Sequence, residues 1–152
     1  MQSAQNLDFA SLIADKNLDI EQLGPKERIL VAALRLFVKQ GYFNTNVPDL
    51  SKESKCSVGS IYHHYKNKEE VAAALYAAGI YSFREALQQT LKGKSEIEVI
   101  LKTIVRFFLE FTERNRELST YLWLSRHIEF LTGNIRHPVS YTHLTLPTNR
   151  EV

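Results

Sequence analysis

From Lys26 to Glu113 the apolar residues recur at steps of three and four, and no segment alternates convincingly as a half-buried strand would. That period limits the chain to packed helices. Ile29, Ala32, Ala33, Leu36 and Phe37 mark the buried face of a first helix over Lys26 to Gln40. Pro25 suits its opening turn and Gly41 its end. Thr45 reads as the N-cap of a short second helix that ends near Lys55. Ser57 is placed to cap a third, Val58 to Tyr65, across a tight turn at Lys55-Cys56-Ser57. A long helix follows from about Lys68 to Leu91, roughly 36 Å at ~1.5 Å per residue, and Gly93 ends it. Another spans about Glu96 to Glu113, with Ile97, Ile100, Leu101, Ile104, Val105 and Phe108 on one stripe. A last one covers about Glu117 to Leu131. The expected fold is all-α.

Composition narrows the class further. With 152 residues the chain is about one domain by length, able to bury a real core. Its lone Cys56 forbids an intramolecular disulfide and any cysteine-rich metal site. No run of 18 apolar residues exists, and the N-terminal stretch is acidic, without a basic lead into an apolar segment. The expectation is a cytoplasmic protein with no membrane partner. The net charge of +2 is unevenly spread: residues 1–24 carry −3, and residues 25–70 carry +3. A basic excess of that size agrees with a polyanionic partner without requiring one.

These shifts suggest an order along the chain. Residues 1–24 form a flexible acidic arm that ends at Gly24-Pro25. Residues 25–70 hold the three-helix unit, and residues 71–138 a second helical part. Residues 139–152 lose the helical period, hold three of the nine threonines, and are expected to be an unstructured tail. That tail resembles translated vector sequence following a truncated reading frame.

The informative segment is Thr45 to Val71, TNVPDLSKESKCSVGSIYHHYKNKEEV. Two short helices joined by a tight polar turn make a helix-turn-helix, which lays its second helix in the DNA major groove. Ile61 and Tyr65 can face the core with Leu50 and Phe37, leaving Val58, Ser60, Tyr62 and His63 largely on other faces. The segments ILVAALRLFVKQG (29–41) and SVGSIYHHYKNKEEV (57–71) resemble the DNA-binding domain of TetR-family transcriptional regulators. The likeness is strongest over the dozen residues from Gly59 to Glu70 and covers roughly residues 26–75.

The resemblance implies a DNA-binding repressor acting as a homodimer on double-stranded DNA, with the helices after residue 70 forming an effector and dimerisation domain that is incomplete here. It implies that Thr45 caps the second helix and bonds a phosphate, and that Val58 and Ser60 face bases. Gly59 would let the backbone approach, Tyr62 would donate to a phosphate, His63 and His64 would line the DNA surface, and Lys68 would close on the phosphate backbone. Lys55 departs from the pattern, since a glycine is usual there, and needs a left-handed backbone costing about 1 kcal/mol. Pro48 departs too, standing where a side chain often reaches DNA.

Phe108, Phe111, Tyr121, Trp123 and His127 are candidates for a small-molecule effector pocket, with core packing as the plainer reading. The adjacent His63 and His64 diverge by ~100° on a helix and do not make a metal site. No nucleophile with a base at usable spacing, phosphate loop or ligand cluster appears, so neither an enzyme nor a cofactor is expected. A truncated DNA-binding module that neither senses an effector nor dimerises stably is the alternative.

Overall fold

The computed structural model describes residues 8–15 and 17–124, and among them it holds seven α-helices and no strand. They are α1 (Phe9–Ala14), α2 (Pro25–Gln40), α3 (Val47–Ser54), α4 (Val58–His64), α5 (Lys68–Leu91), α6 (Ile97–Arg114) and α7 (Arg116–Ser119). A short 3-10 turn, Ile20–Gln22, precedes α2, and one π-type turn, Thr120–Leu124, follows α7. The all-α expectation holds. The remainder of the last expected helix, His127 and residues 139–152 lie outside the described residues.

Local chemistry explains the boundaries. Gly24 and Pro25 open α2, and Gly41 closes it at φ 87°, a backbone that suits glycine. The start of α3 differs from expectation. Asn46, not Thr45, is the cap: its side chain accepts from the Asp49 N–H at 2.9 Å, and the Asp49 carboxylate accepts from the Asn46 N–H at 3.0 Å. Both residues are good caps, but Thr45 finds an acceptor behind it, donating its hydroxyl to the Gly41 carbonyl at 2.8 Å. Ser57 caps α4 through the Ser60 N–H, and Asn67 caps α5 through the Glu70 N–H.

The turn between α3 and α4 shows how a non-glycine residue is held in left-handed geometry. Lys55 sits at φ 55°, ψ 28°, as its place in the turn demands. Ser51 ties the turn by donating to the Cys56 carbonyl at 2.7 Å, and Ser54 accepts from the Cys56 N–H at 3.3 Å. Cys56 itself is buried. The Lys55 ammonium pairs with Glu21 across the surface.

Helices α2, α3, α4 and the first half of α5 enclose one core of Ile29, Ala33, Leu34, Phe37, Leu50, Ile61, Tyr65, Val71 and Leu75. The predicted partners of α4, Ile61 and Tyr65, are buried with Leu50 and Phe37 as expected. Leu36 is only half-buried, and Val31 and Leu34 take the interior places beside it. Further along α5, Gly79 admits α7 closely: a β-carbon there would lie 2.8 Å from the Leu118 side chain.

Two expectations are corrected here. The segment read as a flexible arm is docked over its described residues: Phe9, Ala10 and Ile20 are buried, and the Ala10 N–H donates to Ser82 Oγ of α5 at 3.2 Å. Its apolar residues are few, but they fall where α5 and α2 would otherwise face water. The α6 stripe is also largely uncovered. Phe107 and Phe111 are buried, while Ile97, Leu101, Ile104, Val105, Phe108 and Leu109 are exposed. The apolar arc of α6 is wider than the neighbouring helices, and α5 covers only the edge carrying Phe107 and Phe111.

Candidate nucleic-acid interface

Caps and core together fix α4. Its inner face is pinned by Ile61 and Tyr65, so its outer residues project from a rigid support. Val58, Gly59, Tyr62 and His63 are exposed, and Ser60 and His64 are half-buried. Tyr62 is 53% exposed, which leaves its phenol available to a partner. The His63 and His64 rings meet edge to face, 5.1 Å apart. Six of the eight residues singled out for DNA contact therefore lie on one short helix.

The other two are placed differently. Thr45 is 1% exposed and its hydroxyl is turned into the fold. Lys68 is half-buried and its ammonium is already engaged. It donates to the Tyr42 carbonyl at 2.9 Å and to the Thr45 carbonyl at 2.8 Å, and it lies 4.2 Å from the centre of the Tyr42 ring. A cation at the first position of a helix opposes the helix dipole, and two carbonyls and an aromatic face offset that. Lys68 thus ties the loop between α2 and α3 to the start of α5. The phosphate contact that the resemblance implies for Lys68 is replaced by contacts within the fold.

Tyr42 completes this corner. Burial, then a hydrogen bond to Glu69 and the charge of that carboxylate, hold its phenol well above the usual value. Its ring meets Phe37 edge to face at 5.3 Å, and Phe37 stacks on Tyr121 at 6.0 Å. Around the loop, Gln40 and Asn44 exchange side-chain to backbone hydrogen bonds of 3.0 and 2.8 Å. Elsewhere on the head, Lys52 and Lys66 are exposed, and Arg35 lies 3.6 Å from Glu53.

Residues 29–75, from the second turn of α2 to the first turns of α5, match the model for bacterial regulatory proteins of the tetR family. Over these residues the chain is similar to the tetR family. The chain is 29% identical over 121 residues to the negative transcriptional regulator IcaR of the icaADBC biofilm operon from Staphylococcus epidermidis, covering 80% of this chain and 64% of that protein. It is 32% identical over 91 residues to the uncharacterized HTH-type transcriptional regulator YerO of Bacillus subtilis, covering 58% of this chain and 32% of that one. It therefore spans less than two thirds of either relative. These relatives are regulators, not enzymes. Among solved structures, the fatty acid degradation regulator FadR from Bacillus halodurans has the same fold, with a TM-score of 0.65 at 22% identity over 72% of this chain and 58% of that one.

The candidate effector residues divide. Phe108, Phe111 and Trp123 gather around Phe83, with ring centres 6.4, 5.0 and 5.3 Å from it. Tyr121 does not join them. It is 1% exposed, faces Phe37, and donates to the Ala72 carbonyl at 2.9 Å. The aromatic group fills space rather than surrounding it. A cleft of about 260 Å³ opens beside it, bounded by Ala10, Ala86, Phe107, Phe111 and Arg114. Among the described residues no helix is long and apolar enough to cross a membrane, and no cluster of His, Cys, Asp or Glu could hold a metal ion.

Proposed function

We propose that the chain is a sequence-specific DNA-binding transcriptional repressor, acting in the cytoplasm as a homodimer that responds to a small-molecule effector. The observation that carries this reading is α4, capped and core-anchored on one side and bearing Val58, Gly59, Ser60, Tyr62 and His63 on the other. In this reading α4 lies in the major groove. Val58 and Ser60 meet base edges, Gly59 admits the backbone, Tyr62 donates to a phosphate, and His63 and His64 border the surface. Repression is proposed by analogy with IcaR, a negative transcriptional regulator.

One reading helix covers only a few base pairs, so a two-fold pair is proposed, with reading helices about one DNA turn (~34 Å) or a multiple apart. The bare α6 face supports assembly, because a broad exposed apolar surface marks an interaction site. The cleft beside Phe107 and Phe111 supports effector entry between α1, α5 and α6. Selection of bound sites from random DNA tests the reading: a symmetric site with helical-turn spacing is expected, and recovery of no site overturns it. Sedimentation then separates the dimer from the lone DNA-binding module, whose signature would be a monomer at micromolar concentration.

The geometry also changes which lysine should carry the salt dependence. Lys68→Met is expected to leave the dependence of DNA affinity on salt unchanged and to lower stability by about 1–2 kcal/mol, since it frees two carbonyls. Lys66→Ala should instead lower the salt slope by about one, because an exposed lysine can neutralise a phosphate. Titrations of affinity against salt for both variants check this directly.

A further inference from the structure

Phe43 is the most exposed large apolar residue of the reading head, at 72%, although everything around it is tied down. Gln40 and Asn44 bond each other across it, Thr45 bonds back to Gly41, and Lys68 clamps the carbonyls of Tyr42 and Thr45 on either side. Its ring rests edge-on against Tyr42 at 5.2 Å. An aromatic side chain left in water forgoes about 2 kcal/mol of burial, yet here a rigid loop presents one. The loop lies between the start of α3, which opens at Val47, and the start of α5, at Lys68, just past the end of α4.

Building on the DNA-binding reading, we propose that Phe43 packs against deoxyribose carbons of the DNA backbone beside the groove that α4 enters. In a helix-turn-helix the first helix crosses the backbone, and Phe43 precedes that helix by only a few residues. Lys68, which bonds the carbonyls of Tyr42 and Thr45, is turned inward, so the loop offers the partner a ring. Sugar carbons are apolar and the same at every base pair. The contact therefore adds affinity without sequence preference and without counterion release.

The test uses the full chain and a site selected from random DNA, with affinity read by fluorescence anisotropy over a range of salt. Phe43→Ala is expected to weaken binding about tenfold to preferred and scrambled sites alike, with the salt slope and melting temperature unchanged. Phe43→Leu should recover part of the loss. Phe43→Ala binding within twofold of the parent overturns the contact while leaving the DNA-binding reading intact, and points to a protein partner for the ring. A changed salt slope also overturns it. Failure of the parent chain to select any site removes both.

Discussion

Raising the pH above 10 is expected to unfold the chain, because three tyrosines keep their phenolic protons more tightly when folded than when unfolded. Burial pushes Tyr65 up to about 12, helped by the nearby Glu27 and Glu70 carboxylates. Burial likewise raises Tyr121, with Tyr42 and Tyr76 adding to the effect, and Tyr42 is raised by burial and Glu69. Below pH 10 both states hold these protons, so the contribution is fully present. Above it the unfolded chain sheds protons that the folded chain retains, and stability falls until the pH passes the folded values. At ~1.4 kcal/mol per pKa unit, and reduced by the solvent that still reaches its phenol, Tyr65 accounts for on the order of 1–2 kcal/mol. A circular dichroism titration should show cooperative alkaline unfolding, with its midpoint moved upward in Tyr65→Phe and Tyr121→Phe. If both variants unfold at the parent's pH, these phenols do not drive the transition.

The second large effect is expected at Leu50. It is fully buried where α3 meets α2 and α4. Leu50→Ala removes buried methyl groups and leaves a cavity in a small core, costing about 3 kcal/mol. For a chain of this length that corresponds to a melting temperature lower by roughly 6–12 °C. The outer face of α4 would lose its support, so DNA affinity should fall even though Leu50 cannot reach DNA. Val58→Ala, at a position 40% exposed, is the control and should change stability by less than about 0.5 kcal/mol. A Leu50→Ala protein melting within a degree or two of the parent would mean that the core closes around the gap.

Much of this fold is legible in the sequence, because it rests on short-range signals. The ends of α5 fall at Lys68 and Leu91 as periodicity and Gly93 indicate, and Lys55 takes the left-handed turn that its position requires. The partners of α4 follow from four-residue spacing. What escapes is whatever depends on distant partners. Periodicity identifies the apolar side of α6, but not how much of it another helix covers. The family resemblance implies a phosphate contact for Lys68, yet two carbonyls 26 and 23 residues away claim it first. Thr45 and Asn46 are both capping residue types, and in the fold the Thr45 hydroxyl is taken by the Gly41 carbonyl behind it. The Asn46 and Asp49 pair was readable as a reciprocal cap from spacing alone.

The docked segment around α1 has a consequence for the order in which the molecule assembles. The bond from Ala10 to Ser82 joins residues 72 apart in sequence, whereas the reading head is knit by contacts among α2, α3, α4 and the start of α5, which span fewer residues. Closing so long a loop is entropically costly before the rest is in place. The head can fold once the first half of α5 has been made. The segment made first must wait for the far half of that helix, and so is among the last to settle.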